Sequence, residues 1–115
     1  MITNPKFQIF LGKNGEHYFR LNARNGEQIL ASEGYSAKAS CENGIESVKK
    51  NCVDDGRFER KVASDGRYYF HLKATNGQII GSSQMYKSEQ GRDGGIQSVQ
   101  NVAPDAPVED LTLAE

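Results

Sequence analysis

Four side chains of this 115-residue chain are of the types that most often serve as nucleophiles, bases or soft-metal ligands. They are His17, Cys41, Cys52 and His71. Structural zinc sites usually hold Cys or His in pairs roughly two to four residues apart, and no two of these four are so spaced. The acidic stretches 54–56 and 92–95 lack the alternating oxygen ligands of a calcium loop. We therefore expect no metal site and no cofactor.

The same residues give little indication of enzyme activity. A nucleophilic Ser or Cys needs a base and an orienting acid beside it, and the chain has no Gly-x-Ser-x-Gly turn. The glycine-rich stretch 89–97 lacks the Lys-Ser/Thr ending of a phosphate-binding loop. The fifteen carboxylates lie in turns and on polar faces, where solvation is their usual role. We expect a protein that is not an enzyme; a triad assembled only in space is the alternative.

The charge and hydropathy of the chain limit the partners and the compartment that we expect for it. A formal net charge of -1 gives no overall basic field that would draw it to nucleic acid or to anionic lipid. No apolar run approaches the roughly eighteen residues of a membrane span. The opening MITNPKFQIF has neither the charged start nor the long apolar segment of a secretory signal. These features predict a soluble cytoplasmic protein.

A repeat organises the whole sequence. ENGIESV at 42–48 returns as DGGIQSV at 93–99, and a shift of fifty-one residues aligns many other positions without a gap, among them Phe7 with Phe58. The economical explanation is a tandem duplication. We predict a single domain over 1–115, with one repeat at about 7–56 and the other at about 58–113.

Each copy begins with the pattern of a three-stranded meander. KFQIFL (6–11) and HYFRLNA (17–23) alternate apolar with polar residues, and QILASE (28–33) follows a second Asn-Gly turn. Asn-Gly and Asp-Gly tolerate the positive φ angles of a two-residue type I′ hairpin. We therefore predict β-hairpins with tight turns in both copies, and a last short strand at VEDLTL (108–113).

After the meander the apolar spacing becomes helical, with Ser36 as a plausible N-cap. The predicted stripe consists of Cys41, Ile45, Val48 and Cys52. Its two cysteines would be separated by about 16 Å of axial rise, whereas a disulfide needs Cα atoms within about 7 Å. We expect two buried, reduced thiols. In the second copy Arg92 replaces the first cysteine, and 89–95 is a poor helix former, which predicts a shorter stripe or a later start.

Gly44 and Gly95 recur in the middle of the two predicted helices. A glycine inside a helix costs about 1 kcal/mol relative to alanine, so its repetition calls for a reason. Close approach of the helix backbone to the sheet or to the other helix would supply one. A ligand site is the alternative, but no convergent polar groups are visible, so we favour packing.

The aromatic strand, the Asn-Gly turn, the Ile-rich strand and ENGIESVKKN together resemble the YegP-like family of small bacterial proteins, over essentially the whole chain. The resemblance implies two β-β-β-α-β units that share one antiparallel α+β sheet, with terminal strands exchanged and both helices on one face. It implies no activity and no set of site residues. Arg60 and Arg92 depart from the pattern, since the first copy has apolar or small residues there, which puts the symmetry of the core in question.

If both helices cover one face of the sheet, a set of aromatic and cationic side chains points away from them. The candidate interaction face consists of Phe10, Tyr18, Arg20, Asn22, Lys61, Tyr69, His71 and Lys73. We predict a non-enzymatic structural or interaction module, a monomer with internal pseudo-two-fold symmetry, whose partner is an unknown protein or small molecule. Aromatics interleaved with cations can also bind single-stranded nucleic acid, which is the alternative function; cross-strand pairs that merely cover the sheet are the structural explanation.

Overall fold

The alternating segments of both units form strands, and each meander is followed by a helix. The computed structural model describes residues 2–113. The first unit contains β1 (Lys6–Leu11), β2 (His17–Asn22), β3 (Gln28–Ala31) and α1 (Lys38–Asn51). A 3₁₀ turn (Asp55–Arg57) leads to β4 (Phe58–Val62), β5 (Tyr68–Lys73), β6 (Ile79–Ser82) and α2 (Glu89–Val102), and a second 3₁₀ turn (Ala103–Asp105) leads to β7 (Val108–Asp110). The predicted order of elements, two meanders each followed by a helix, is confirmed.

The hairpins are present, but their predicted turn type is wrong. Gly15 N–H donates to the Gly12 carbonyl at 3.0 Å, and Gly12 N–H donates to the Glu16 carbonyl at 2.9 Å. Gly15 has φ +82°, whereas no residue other than glycine has a positive φ within the described chain. A type I′ turn would need two such residues in succession, so this is the longer turn that ends in a glycine bulge. The other three hairpin turns repeat it.

One seven-stranded sheet joins the two units, in the order β4-β5-β6-β3-β2-β1-β7. The units meet where Ala31 of β3 pairs with Ser82 of β6. Six strands run antiparallel to their neighbours, but β7 runs parallel to β1, with Phe7 opposite Val108. The terminal strand of the second unit thus completes the first unit, as the resemblance implied, but within the described residues no strand of the first unit covers β4 in return. The sheet is mixed instead of wholly antiparallel.

The observed starts of the two helices differ from the predicted ones. The first begins at Lys38 after Ala37, which makes no side-chain cap, so Ser36 is not the N-cap. The second has the same length as the first and does not start late, but its apolar stripe is shorter at the start, because Arg92 stands where the first helix has Cys41. Ser88 caps it by accepting a hydrogen bond from Gly91 N–H at 3.0 Å, which offsets part of the cost of its glycines. Neither helix in the described part of the chain is long and apolar enough to cross a membrane.

Both helices pack on one face of the sheet and enclose a single apolar core. Its largest fully buried side chains are Phe7, Ile9, Phe19, Leu21, Leu30, Ile45, Phe70, Leu72 and Ile96. The strands contribute alternate residues and the helices contribute their predicted stripes, so the core follows the two periodicities of the sequence.

The repeated glycines let a tyrosine ring lie against each helix. A Cβ atom at Gly44 would lie 2.6 Å from Tyr35 Oη, and one at Gly95 would lie 2.7 Å from Tyr86 Cζ. Real Cβ atoms do not approach neighbours so closely. The packing explanation is therefore confirmed, and the neighbour is the tyrosine that follows each meander. ENGIESV and DGGIQSV are packing motifs.

Candidate interaction surface

The side chains that could do covalent chemistry are withdrawn from solvent. Cys41 and Cys52 are free thiols with no exposed surface. Burial, together with the charges of Glu42 and Asp110, raises the pKa of Cys41 from its ordinary value of 9.0 to about 11. Such a thiol stays protonated and is a poor nucleophile at neutral pH. Within residues 2–113, no three His, Cys, Asp or Glu side chains converge as a metal site would require.

All of the side chains predicted for the interaction face belong to β1, β2, β4 and β5; in β1, β2 and β5 they alternate with buried core residues, and Lys61 of β4 pairs with Tyr69 of this set. The helices pack on the core side, so this set lies on the other side of the sheet, which we call the open face. One continuous row of paired residues crosses all seven strands there. In order, it runs Glu59, His71, Ser82, Ala31, Arg20, Gln8 and Glu109.

In the first unit the open face is held together by an ion pair and shared hydrogen bonds. Lys6 Nζ lies 2.8 Å from Glu109 Oε1, and Gln8 Nε2 donates to the same oxygen at 2.9 Å. These two donors lower the pKa of the Glu109 carboxyl from 4.5 to about 2. Gln8 Oε1 in turn accepts from Arg20 Nε at 2.8 Å and from Asn22 Nδ2 at 3.2 Å. The polar groups therefore satisfy one another.

The aromatic rings of the first unit are also used internally. Phe10 and Tyr18 stack with their centroids 5.7 Å apart and their planes 17° apart. The guanidinium of Arg20 lies 4.7 Å from the centroid of Phe10, a distance at which cation–π attraction operates. A nucleic-acid base would have to compete with these contacts for the ring faces.

In the second unit the open face is organised around one carboxylate. Glu59 lies 3.2 Å from Lys73 Nζ, 3.6 Å from His71 Nδ1 and 4.0 Å from Lys61 Nζ. The hydrogen bond from Lys73 and the charges of Lys61, Lys73 and His71 lower the pKa of the Glu59 carboxyl. Tyr69 meets His71 edge to face, with ring centroids 5.3 Å apart. The cations predicted to hold phosphates therefore already have an anion among them.

The two units differ most at their outer strands. In the first unit β7 covers β1: Phe7 N–H donates to the Pro107 carbonyl, and Leu111 N–H donates to the Ile9 carbonyl, each at 2.8 Å. Lys38 Nζ in the first turn of α1 pairs with Asp110 of β7, also at 2.8 Å. Val108 reaches toward Ile45 of α1, and both line a small cavity of about 230 Å³. The first unit is thereby closed.

In the second unit β4 pairs with β5 on one side and has no strand on its other side among the described residues. Phe70, which lies opposite Arg60, directs its N–H to Ser83 Oγ and accepts from Ser83 N–H through its carbonyl. Arg60 is therefore in a non-hydrogen-bonded pair with β5, and its own N–H and C=O point to the free edge. Phe58 N–H donates a hydrogen bond to the Asp55 carbonyl of the preceding turn. The free edge thus begins at Arg60.

Arg60 and Arg92 are explained by this open edge. Their counterparts fifty-one residues earlier, Ile9 and Cys41, are fully buried in the unit that β7 completes. Arg60 instead reaches solvent and lies 3.1 Å from Asp93 and 3.4 Å from Asp55. Arg92 lies 3.2 Å from Asp93 and 5.6 Å from the centroid of the Tyr68 ring. The symmetry of the core, which the sequence put in question, is therefore broken at β4, whose outer side has no covering strand within residues 2–113.

A groove follows the free edge on the helix side. It lies between β4 and α2 and has a volume of about 450 Å³. The residues that line it are Asp55, Arg60, Gln90, Asp93, Gly94, Ile96, Gln97 and Gln100. Four of them are counterparts of residues around the cavity at β7. Sequence reasoning did not predict this groove; the arginines at apolar positions were its only signal.

Comparison with known proteins agrees with this architecture. The model of a domain of unknown function, DUF1508, matches twice, at residues 13–59 and 63–110. The chain belongs to the DUF1508 family. A UPF0339 protein of Stutzerimonas stutzeri, named for the region 5′ of a ptx operon, is 57% identical over 102 residues, which are 89% of this chain and 92% of that protein. YegP of Escherichia coli O157:H7 is 48% identical over 106 residues, 92% of this chain and 96% of YegP.

Solved structures of DUF1508 relatives share the fold. The solution NMR structure of YegP from E. coli, a protein of unknown function, matches with a TM-score of 0.91 and 44% identity, over 100% of this chain and 99% of that one. A UPF0339 protein from Shewanella oneidensis matches with a TM-score of 0.88 and 43% identity, over 92% and 90% of the two chains. The predicted YegP-like resemblance is confirmed. The family descriptions name no activity, so function has to be argued from the surface.

Proposed function

We propose that this chain is a non-enzymatic module that binds another protein and acts as a monomer. The observation that carries the proposal is the free edge of β4, the longer of the two edge strands, since β7 at the opposite edge has only three residues. A free strand edge offers backbone N–H and C=O groups in fixed register, and extended segments of other proteins bind such edges by adding a strand. The withdrawn thiols support a role that is not catalytic.

The charges of β4 support monomeric behaviour. Its sequence is Phe-Glu-Arg-Lys-Val, and short edge strands rich in charge resist pairing with copies of themselves.

The second half of the open face adjoins this edge. Lys61, Tyr69, His71 and Lys73 lie on β4 and β5, so a partner bound at β4 can reach them with side chains on that side of its strand. Phe10, Tyr18 and Arg20 lie on β1 and β2, at the other end of the sheet. We propose that the four residues of the second unit form the interacting part of the predicted face.

Single-stranded nucleic acid fits this surface less well than a protein segment does. The ring faces of Phe10 are shared between Tyr18 and Arg20, and Glu59 offsets part of the charge of Lys61 and Lys73. Titration with mixed short oligonucleotides tests this alternative. NMR shifts that cluster on Tyr18, Arg20, Tyr69 and His71 would favour it over protein binding.

We also propose a cytoplasmic location, which the two free cysteines support, because thiols persist in reducing compartments.

The proposal is tested by capture from native lysate with two variants at one position. Arg60→Pro removes an edge N–H that makes no bond to β5, whereas Arg60→Ala removes the same side chain and keeps that N–H. A partner retained by wild type and Arg60→Ala but lost with Arg60→Pro is the expected result. Equal retention by both variants would rule out binding by strand addition at β4.

A further inference from the structure

The chain itself shows how an outer strand of this fold is covered. In the first unit β7 lies parallel to β1, places Val108 beside Ile45 on the helix side, and pairs Asp110 with Lys38 of the first helical turn. The backbone contributes the Leu111 N–H bond to the carbonyl of Ile9. These contacts define three requirements for a covering strand. It needs free backbone groups, an apolar side chain that enters the groove, and a charge opposite in sign to that of the residue in the first helical turn.

The second unit offers the same features in the same places. The counterpart of Ile9 is Arg60, whose N–H and C=O face the free edge. Ile96, the counterpart of Ile45, lines the groove together with Gly94, which has open space where a Cβ would lie. The groove is about 450 Å³, roomier than the 230 Å³ cavity that remains beside Val108. An aliphatic side chain fits there.

The charge at the helix start is reversed between the units. Lys38 holds Asp110 of β7 in the first unit, but its counterpart in the second unit is Glu89, an exposed residue in the first turn of α2. The arginines beside the groove do not supply a free positive charge, because Asp55 and Asp93 lie within 3.4 Å of Arg60 and Asp93 also meets Arg92. A covering strand would therefore gain from a basic residue where β7 has Asp110.

From these contacts we infer that the groove between β4 and α2 binds an extended segment of a partner protein that runs parallel to β4, with an aliphatic residue against Ile96 and, two positions later, a Lys or Arg beside Glu89. This inference rests on the proposed function and gives it a ligand chemistry. The chain's own β7 cannot serve, because it covers β1 and carries an aspartate at the position in question.

Two peptides that differ at one position test the inference. Both copy residues 104–112 of this chain, and one carries Asp110→Lys; each is titrated into isotope-labelled full-length protein and followed by NMR. We expect the lysine peptide to shift the resonances of Arg60, Glu89 and Ile96 and to bind at least about tenfold more tightly than the aspartate peptide, which corresponds to about 1.4 kcal/mol.

Three variants separate the parts of the site. Glu89→Lys restores the charge found at Lys38, is exposed, and should reverse the preference so that the aspartate peptide binds more tightly. Gly94→Leu should abolish binding by filling the groove, and Gly94→Ala should weaken it only slightly. Thermal unfolding of each variant verifies that the fold is kept.

Each outcome decides between the inference and the broader proposal. Equal binding of both peptides at β4 would overturn the basic-residue requirement and leave strand addition intact. Shifts confined to the open face, or no shift with the lysine peptide at millimolar concentration, would overturn the inferred site. The capture experiment with Arg60→Pro and Arg60→Ala judges the proposed function independently, because it assumes nothing about the partner's sequence.

Discussion

The outer strand of the first unit, β1, is covered by β7, whereas the outer strand of the second unit, β4, has no strand on its outer side within residues 2–113. Equivalent positions in these two strands and in the two helices are accordingly occupied by different residues. Ile9 and Cys41 are fully buried, while their counterparts Arg60 and Arg92 carry charge, and Arg60 reaches solvent. A duplicated sequence thus gives two halves with the same elements and different edges, because only the second repeat is followed by a strand that can return to the first.

The inner packing of the two halves, by contrast, has stayed the same. Tyr35 lies against Gly44 as Tyr86 lies against Gly95, and both tyrosines bridge to the start of the middle strand of their unit. These contacts lie away from either edge. The residues that the fold requires are therefore the same in both halves, whereas the residues near a covering strand differ between them.

The largest effect is expected from exchanging residues between the two edges. Ile9→Arg would bury a guanidinium in the apolar core, where the carboxylate opposite it, Asp110, already pairs with Lys38, and we expect it to lower the free energy of unfolding by at least about 4 kcal/mol. Arg60→Ile should change it by less than about 1 kcal/mol, because Arg60 is exposed and surface ion pairs contribute little. Urea unfolding of both variants measures the difference. Similar losses for the two would contradict the distinction between the edges.

The glycine sites should respond alike in both halves. Gly44→Leu and Gly95→Leu are each expected to cost about 3 kcal/mol by overpacking against a tyrosine, although leucine is the better helix former. The matched control is Gly44→Ala combined with Tyr35→Phe, since the nearest atom to the added Cβ is Tyr35 Oη. This pair should be more stable than Gly44→Ala alone. Unchanged or increased stability of the leucine variants would remove the close-packing account.

A smaller, pH-dependent effect is expected where β7 is attached. The pKa of Glu109 is lowered in the folded state from 4.5 to about 2 by Lys6 and Gln8. A lowered folded-state pKa stabilises the fold above the unfolded value, so this contribution is complete above pH 4.5 and is lost as the pH falls toward 2.

Glu109→Gln should therefore lower stability at neutral pH only slightly, because the pair is partly exposed. It should also flatten the acid dependence between pH 4.5 and 2, measured by urea unfolding at several pH values. Glu27→Gln, at an exposed turn residue, is the control. A full acid dependence in the Glu109 variant would place the titrating group elsewhere.

Local patterns in the sequence were sufficient for the duplication, the hairpins and the apolar stripe of each helix. The turn type was predicted wrongly because Asn-Gly suits both a two-residue turn and the longer turn that ends in a glycine bulge. The alternative of a later start for the second helix was wrong because glycine propensity was weighed without the Ser88 cap.

The open edge could not be predicted from local patterns. Gln8 and Glu109 lie 101 residues apart in sequence, and the pairing of β7 with β1 depends on how the whole sheet closes. Arg60 and Arg92 were recognised as departures from the repeat, but their meaning depends on knowing which strand lacks a neighbour. The placement of the candidate face followed from strand alternation, whereas the internal pairing of its side chains did not.

Amide hydrogen exchange at Ile9 and Arg60 tests the difference between the edges most directly. Both residues lie opposite a phenylalanine whose backbone bonds to the next strand inward, so both direct their N–H groups outward. That of Ile9 meets β7 and that of Arg60 meets solvent. We predict that Arg60 exchanges faster by about two orders of magnitude, and that the lysine peptide slows it. Equal protection of the two amides in the free protein would contradict the account.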